Sequence, residues 1–308
     1  MEGMLAIVCP GQGSQTPGFL APWLEMDGTR ELLEELSDAA GVDLVRHGTV
    51  SDEETIKDTA VAQPLIVAAG LVAGSILEAD ASDPATTVLA GHSVGEITAS
   101  GLAGVLSPAE SLALVRVRAT GMAEAAAATP TGMAAVVGGD QEEVLAAIEA
   151  AGLTPANVNG AGQVVAAGTL EALAALSAPA RARVIPLKVA GAFHTEHMSP
   201  AVDALAAHVR TLSPADPRLP LLSNRDGAAV ASGAEVLERI VDQVTRPVRW
   251  DRCMDALAER GVTGVLELLP GGTLTGLAKR GLKGTATLAL KSPEDLDAAR
   301  AFLAEHSA

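Results

Sequence analysis

Ser93 stands in Gly91-His92-Ser93-Val94-Gly95, a G-x-S-x-G pentapeptide. That pattern sets a serine on a sharp strand-to-helix turn, where its hydroxyl is presented as a nucleophile. Glycine on either side lets the backbone make the turn with no Cβ in the way. The start of the next helix adds unpaired N–H groups, which suit a developing oxyanion. An ordinary glycine-bordered loop has the same composition, so the serine needs a base before it implies chemistry. His92 is adjacent, and its side chain is expected to diverge from that of Ser93. His194, in Gly191-Ala192-Phe193-His194-Thr195, is the better candidate. It follows a predicted strand and falls in a loop at the strand end, where α/β sites form. His47, His208 and His306 read as surface histidines. His197 is three residues from His194, but with no nearby Cys and no H-E-x-x-H pattern, no metal site is expected. Asp226, Asp242 and Asp251 all stay open as the third member of a triad.

The elements that must position these groups alternate along the chain. Leu5–Cys9 is a short apolar run ended by Pro10-Gly11, which reads as a buried parallel strand. The loop Gly11-Gln12-Gly13-Ser14-Gln15 follows. Helical patterning appears at Arg30–Ala39 and from Ala60 to Leu77. Thr87–Ala90 is a second strand, running into the serine turn and a helix through Ile97-Thr98-Ala99. Ser107-Pro108-Ala109-Glu110 combines an N-cap, a first-turn proline and a reciprocal glutamate, so a helix is predicted from there to about Ala127. From Met133 the order becomes strand Met133–Val137, helix Glu142–Ala151, short strand Asn157–Asn159, strand Gln163–Ala167, helix Leu170–Leu176 and strand Arg183–Val189. That is β-α-β-β-α-β, a ferredoxin-like unit. The tail returns to strand Gly264–Leu269 and helix Leu274–Arg280. An α/β fold is expected: a parallel-sheet subdomain from 1–125 and 192–308, interrupted by a ferredoxin-like insertion at 126–191.

Composition narrows the functions. The 308 residues carry a net charge of −17, opposite to the basic footprint of a nucleic-acid binder. With no Tyr, two Trp and three Phe, the chain also lacks aromatic platforms for stacking bases. An anionic membrane surface would repel it on average. Its longest apolar run, Leu65 to Leu77, falls short of the ~20 residues that span a bilayer. Cys9 and Cys253 cannot form a disulfide framework or a four-thiolate zinc site. The N-terminus shows no basic region or cleavage site. A cytoplasmic protein is expected, with no membrane or nucleic-acid partner. Whether residues 1–3 are native is left open, since Met4 could be the natural start.

Three blocks, Gly11-Gln12-Gly13-Ser14-Gln15, Gly91-His92-Ser93-Val94-Gly95-Glu96 and Gly191-Ala192-Phe193-His194, resemble in order the signatures of malonyl-CoA:acyl carrier protein transacylases. Val248-Arg249-Trp250 and Leu269-Pro270-Gly271-Gly272-Thr273-Leu274-Thr275-Gly276-Leu277 resemble two later blocks. The family usually has Gly-Pro-Gly where this chain has Leu269-Pro270-Gly271. The resemblance covers essentially the whole chain. It implies an α/β-hydrolase-like large subdomain with a ferredoxin-like insertion, in agreement with the element order.

The resemblance implies Ser93 as nucleophile and His194 as its general base. It implies that the backbone N–H groups of Gln12 and Val94 form the oxyanion hole, and that the carbonyl of Gln243 orients the histidine. It also implies that Arg118 binds the malonyl carboxylate. A planar guanidinium holds a carboxylate through two parallel hydrogen bonds. Arg116, two residues away on another helix face, reads as a solvated salt-bridge residue. Phe193 resembles the malonyl-selecting form of its block, where a bulky ring leaves less room for an α-methyl group. One methylene is worth about 1–3 kcal/mol, so some leakage toward methylmalonyl is expected. Asn159, in the turn Val158-Asn159-Gly160, is a further substrate-contact candidate.

The implied reaction is a two-step transfer through a malonyl-serine ester to the phosphopantetheine thiol of a carrier protein, with no cofactor and no metal. Extender units would pass to fatty-acid or polyketide synthesis, and the protein is expected to act as a monomer. Both substrates are acidic, so a local basic patch must offset the negative chain. Arg181, Arg183 and Lys188, with Lys279, Arg280 and Lys283, are the densest basic groups. A serine hydrolase and a non-catalytic acyl-CoA-binding subunit are the competing readings. The Gly-Gln-Gly-Ser-Gln loop and an internal arginine argue against the hydrolase.

Overall fold

Alternate residues of Leu5–Cys9 (β1) enter two different apolar clusters: Leu5, Ile7 and Cys9 one, Ala6 and Val8 the other. A strand buried on both faces needs layers above and below it, and the chain supplies them. In the computed structural model, which describes residues 3–79 and 82–307, β1 is the middle of a parallel sheet. Met1 and Glu2, at the start whose origin the sequence leaves open, lie outside the described residues. Thr87–Gly91 (β2) pairs with β1 in register from Leu5↔Thr87 to Cys9↔Gly91.

The second sheet is built from Thr131–Gly138 (β3), Thr154–Gly160 (β4), Gln163–Thr169 (β5) and Ala182–Pro186 (β6), in the order β6-β3-β5-β4. These strands pair antiparallel, as the β-α-β-β-α-β order predicts. Helices Gln141–Ala150 and Leu170–Ala175 supply its two connections. β4 is longer than expected and β6 shorter. The last strand stops at Pro186, yet Leu187 N–H still donates to Met133 O at 3.0 Å, so the ladder runs one bond further.

Four more strands complete the sheets: Leu221–Leu222 (β7), Val248–Arg249 (β8), Gly264–Glu267 (β9) and Ala286–Ala289 (β10). The large sheet has the order β10-β9-β1-β2-β7, all parallel. β8 joins the small sheet instead, parallel to β4 through Asn157↔Val248 and Val158↔Arg249. The small sheet thus takes its fifth strand from well beyond residue 191.

The apolar run Leu65–Leu77 lies in the helix Thr59–Ile76 except for Leu77, its C-cap. By length and mean hydropathy, 1.7 over 18 residues, this helix could cross a membrane, but 78% of it is buried within the protein. It packs against the helix Pro108–Ala128, so its apolar circumference is explained by a core position. That second helix begins with the expected capping box between Ser107 and Glu110.

Candidate active site

The serine turn is built by close backbone approach. A Cβ on Gly91 would lie 2.0 Å from the carbonyl carbon of Gly95, and one on Gly95 would lie 2.2 Å from Cys9 O. Only glycine fits either position, which is the physical content of the G-x-S-x-G pattern. Ser93 itself adopts φ 54°, a left-handed conformation costing about 1–3 kcal/mol. The helix Gly95–Leu102 then leads away beneath it.

His194 reaches the serine from 101 residues away, with Ser93 Oγ 2.7 Å from His194 Nε2. The other ring nitrogen, Nδ1, lies 2.8 Å from the carbonyl oxygen of Gln243. A carbonyl can only accept, so Nδ1 carries the hydrogen and Nε2 is left as the acceptor facing Ser93. The three aspartates left open as triad members are elsewhere. Asp226 binds Arg239 at 2.8 Å, Asp242 pairs with Arg225, and Asp251 binds Arg249 at 2.7 Å. His194 is buried, and its pKa falls from 6.5 to about 3 through desolvation and the nearby positive charge of Arg118. The imidazole is thus neutral at pH 7.

Arg118 is 1% exposed, whereas Arg116 on the same helix faces solvent. The buried guanidinium donates to Gln63 Oε1 at 2.6 Å and to Gln243 Oε1 at 2.8 Å. Its Nε has no hydrogen-bond partner among the described residues. These contacting groups are neutral carboxamides, so the cation is buried without a carboxylate touching it. Burial lowers its pKa to about 10, which leaves it charged at neutral pH. The nearest compensating charge is Glu96, which binds Gln243 Nε2 and accepts the backbone N–H of Asn224. Burial raises the Glu96 pKa to about 7.

Above Ser93 and His194 is a cavity of about 230 Å³ between the two sheets. Gln12, Val94, Phe193 and Asn159 all line it, together with Gln63 and His92. Arg118 lies behind Gln63 and adds nothing to the lining. The His92 ring turns to Asn159, with Nε2 2.8 Å from Oδ1, and its ring centroid is 5.6 Å from that of Trp250. Asn159 in turn donates to Gln163 at 2.9 Å. Among the described residues, no cluster of three or more His, Cys, Asp or Glu could hold a metal, and His197 is half-buried in its own short helix.

Sequence reasoning missed Gln63, Glu96 and Asn224. Glu96 left a signal, being a lone acid three residues after Ser93 in an otherwise apolar helix start. Gln63 and Asn224 left none. The first lies in an apolar helix and the second in Ser223-Asn224-Arg225-Asp226-Gly227, a stretch with loop composition.

An α/β sheet with a serine elbow, a carbonyl-held histidine and a second sheet roofing the cavity defines an acyl-transfer site. The chain belongs to the acyl transferase domain family, which it matches over residues 6–306. It is 52% identical over 297 residues to the malonyl CoA-acyl carrier protein transacylase of Mycobacterium tuberculosis (strain ATCC 25618 / H37Rv), across 96% of this chain and 98% of that one. The crystal structure of MCAT from Mycobacterium tuberculosis superposes with TM-score 0.92 at 51% identity, over 96% of this chain and 99% of the other. A malonyl-transacylase in complex with a type II PKS acyl-carrier protein superposes with TM-score 0.89 at 31% identity, over 97% and 99%.

Proposed function

We propose that this protein transfers the malonyl group of malonyl-CoA to the phosphopantetheine thiol of an acyl carrier protein, through an ester on Ser93. The observation that carries this reading is the Ser93 Oγ to His194 Nε2 contact of 2.7 Å, with Nδ1 held by Gln243 O. Nε2 takes the hydroxyl proton as Oγ bonds to the thioester carbonyl carbon. The backbone N–H groups of Gln12 and Val94 hold the resulting oxyanion. The C–S bond then breaks, and the proton on His194 passes to the departing CoA thiolate. In the second step the carrier thiol gives its proton to Nε2 and takes the acyl group. Ser93 then recovers its hydroxyl proton, giving ping-pong kinetics.

The rest of the cavity sets selectivity in this reading. Arg118, buried behind Gln63 without a contacting carboxylate, takes the malonyl carboxylate as its missing anion once the cavity-lining Gln63 carboxamide turns aside. Phe193 limits room for an α-methyl group, and Asn159 borders the acyl arm. No cofactor is needed for these steps. The free, buried Cys9 and Cys253 fit the reducing cytoplasm, where we place a monomeric enzyme supplying fatty-acid or polyketide extension.

Mass spectrometry after mixing with malonyl-CoA tests the reading directly. A malonyl adduct on the Ser93 peptide, discharged by a phosphopantetheinylated carrier protein, is the expected result. Release of free malonate with no transferable adduct would make the protein a hydrolase.

Charge supports where the carrier protein docks. Arg181, Arg183 and Lys188 are exposed, and Lys188 lies between Leu187 and Val189, which line the cavity. Lys279 and Arg280 share the helix Thr273–Gly281 with cavity-lining Thr273, Leu274 and Leu277. Lys188 thus sits at the cavity edge, with Arg181 and Arg183 further along the same exposed strand edge and Lys279 and Arg280 on the last turn of a helix whose first turn lines the cavity. Reversing Arg181 and Arg183 to Glu should slow discharge to the carrier protein and spare loading from malonyl-CoA. Equal losses in both steps would reject the patch.

A further inference from the structure

Asn224 follows β7 and is 1% exposed. Its Oδ1 accepts the N–H of Ser93 at 2.8 Å and an N–H of Gln243 Nε2 at 3.2 Å. Its Nδ2 donates to Gly91 O at 2.7 Å. Chemistry assigns the two ends of this amide, because the Ser93 N–H can only donate and the Gly91 carbonyl can only accept. One side chain therefore holds the backbone on both sides of the serine turn, and also the residue whose carbonyl orients His194. A left-handed conformation such as that of Ser93 persists only where its surroundings over-determine it. Asn224 supplies that constraint from the turn after β7, the strand next to β2. It also occupies the N–H of Ser93, which leaves the next residue to face an oxyanion.

We propose that Asn224 is a positioning residue whose carboxamide, bonded to Gly91, Ser93 and Gln243, keeps Ser93 Oγ within reach of His194 Nε2. It does not line the cavity. The inference rests on the serine–histidine reading above. Because the clamp acts on the nucleophile and not on the acyl group, its loss should slow malonyl and acetyl loading by the same factor. Loss of a carboxylate-binding residue would instead separate the two.

Two variants test this by the rate of ester formation on Ser93, normalised to folded protein. Asn224→Ala should lower that rate about 100-fold for both acyl-CoAs, as expected for a small misplacement of reacting groups, with KM unchanged. Asn224→Asp is nearly isosteric and adds a pH signature. Protonated, the new carboxyl can donate to Gly91 O and accept from Ser93 N–H; ionised, it has no donor. Its charged or titratable surroundings are Glu96, which accepts the Asn224 N–H, and Cys253, whose Sγ is 3.7 Å from Nδ2. Arg118 lies beyond Gln243, Arg239 and Asp226 act on Glu96, and His194 is held by Gln243.

Burial beside Glu96 disfavours a second negative charge. The Asp variant should therefore recover toward the wild-type rate as pH falls from 8 to 5.5, measured against wild type at each pH. Wild-type rates in the Ala variant, or an Asp deficit that does not change with pH, would overturn the proposal. If the Ala variant does not fold, the Asp profile decides alone. Failure of the wild-type protein to form any Ser93 ester would instead reject the serine reading itself.

Discussion

Replacing His194 with Ala should slow formation of the malonyl-Ser93 ester by about 1,000-fold or more, measured by quenched-flow mass spectrometry. Among the described residues His194 Nε2, at 2.7 Å, is the acceptor the serine hydroxyl faces, and without transfer the hydroxyl is a poor nucleophile. The pH profile of the wild-type enzyme carries the same argument. Burial and the Arg118 charge hold the His194 pKa at about 3, far below its usual 6.5. Neutral imidazole therefore persists to low pH, and loading should show no His194 ionisation between pH 8 and 5. A single break near 6.5 would contradict the buried geometry.

The linkage to stability follows with a definite sign. The His194 pKa is lower in the folded state, so the unfolded chain gains this proton first as pH falls. Stability from this group is present above about 6.5 and is lost toward 3, at about 1.4 kcal/mol per pH unit. Glu96 acts in the opposite sense. Its folded pKa of about 7 lies above 4.5, so its contribution is full below 4.5 and falls away as pH rises toward 7. Between about 4.5 and 6.5 the two slopes oppose one another.

Arg118→Ala should lower malonyl loading relative to acetyl loading by roughly 150- to 5,000-fold, corresponding to about 3–5 kcal/mol for an uncompensated buried charge. Acetyl-CoA serves as the internal control. The substitution also releases Gln63 and Gln243, and any indirect effect on His194 through Gln243 slows both acyl groups alike. The ratio therefore isolates the carboxylate contact. An unchanged preference would remove Arg118 from substrate selection. Lysine is a poor substitute, because a point charge cannot hold two carboxamides in the fork that the guanidinium makes.

Much of this was legible in the amino-acid order because the signals were local. The run Leu5–Cys9, the Ser107–Glu110 cap and the glycines around Ser93 each fix a conformation within a few residues. What could not be read were long-range partners. β7 and β8 are two residues each, too short for periodicity to register. The orienting group for His194 is a main-chain carbonyl, which carries no residue-type signature, so three aspartates competed for the role. Family likeness pointed to Gln243. Asn224 and Gln63 became visible only when helices and turns far apart in the chain were brought together.

The two-residue strand Val248–Arg249 has a further consequence. It pairs with β4 in the roof, while the Arg249 N–H donates to Asn224 O at 2.8 Å in the floor. Roof and floor are stitched along one edge, a few residues from the histidine's anchor. Parting them like jaws would break both the ladder and the stitch. The crevice is thereby held shut along that edge by backbone bonds alone, which no side-chain substitution short of proline can remove.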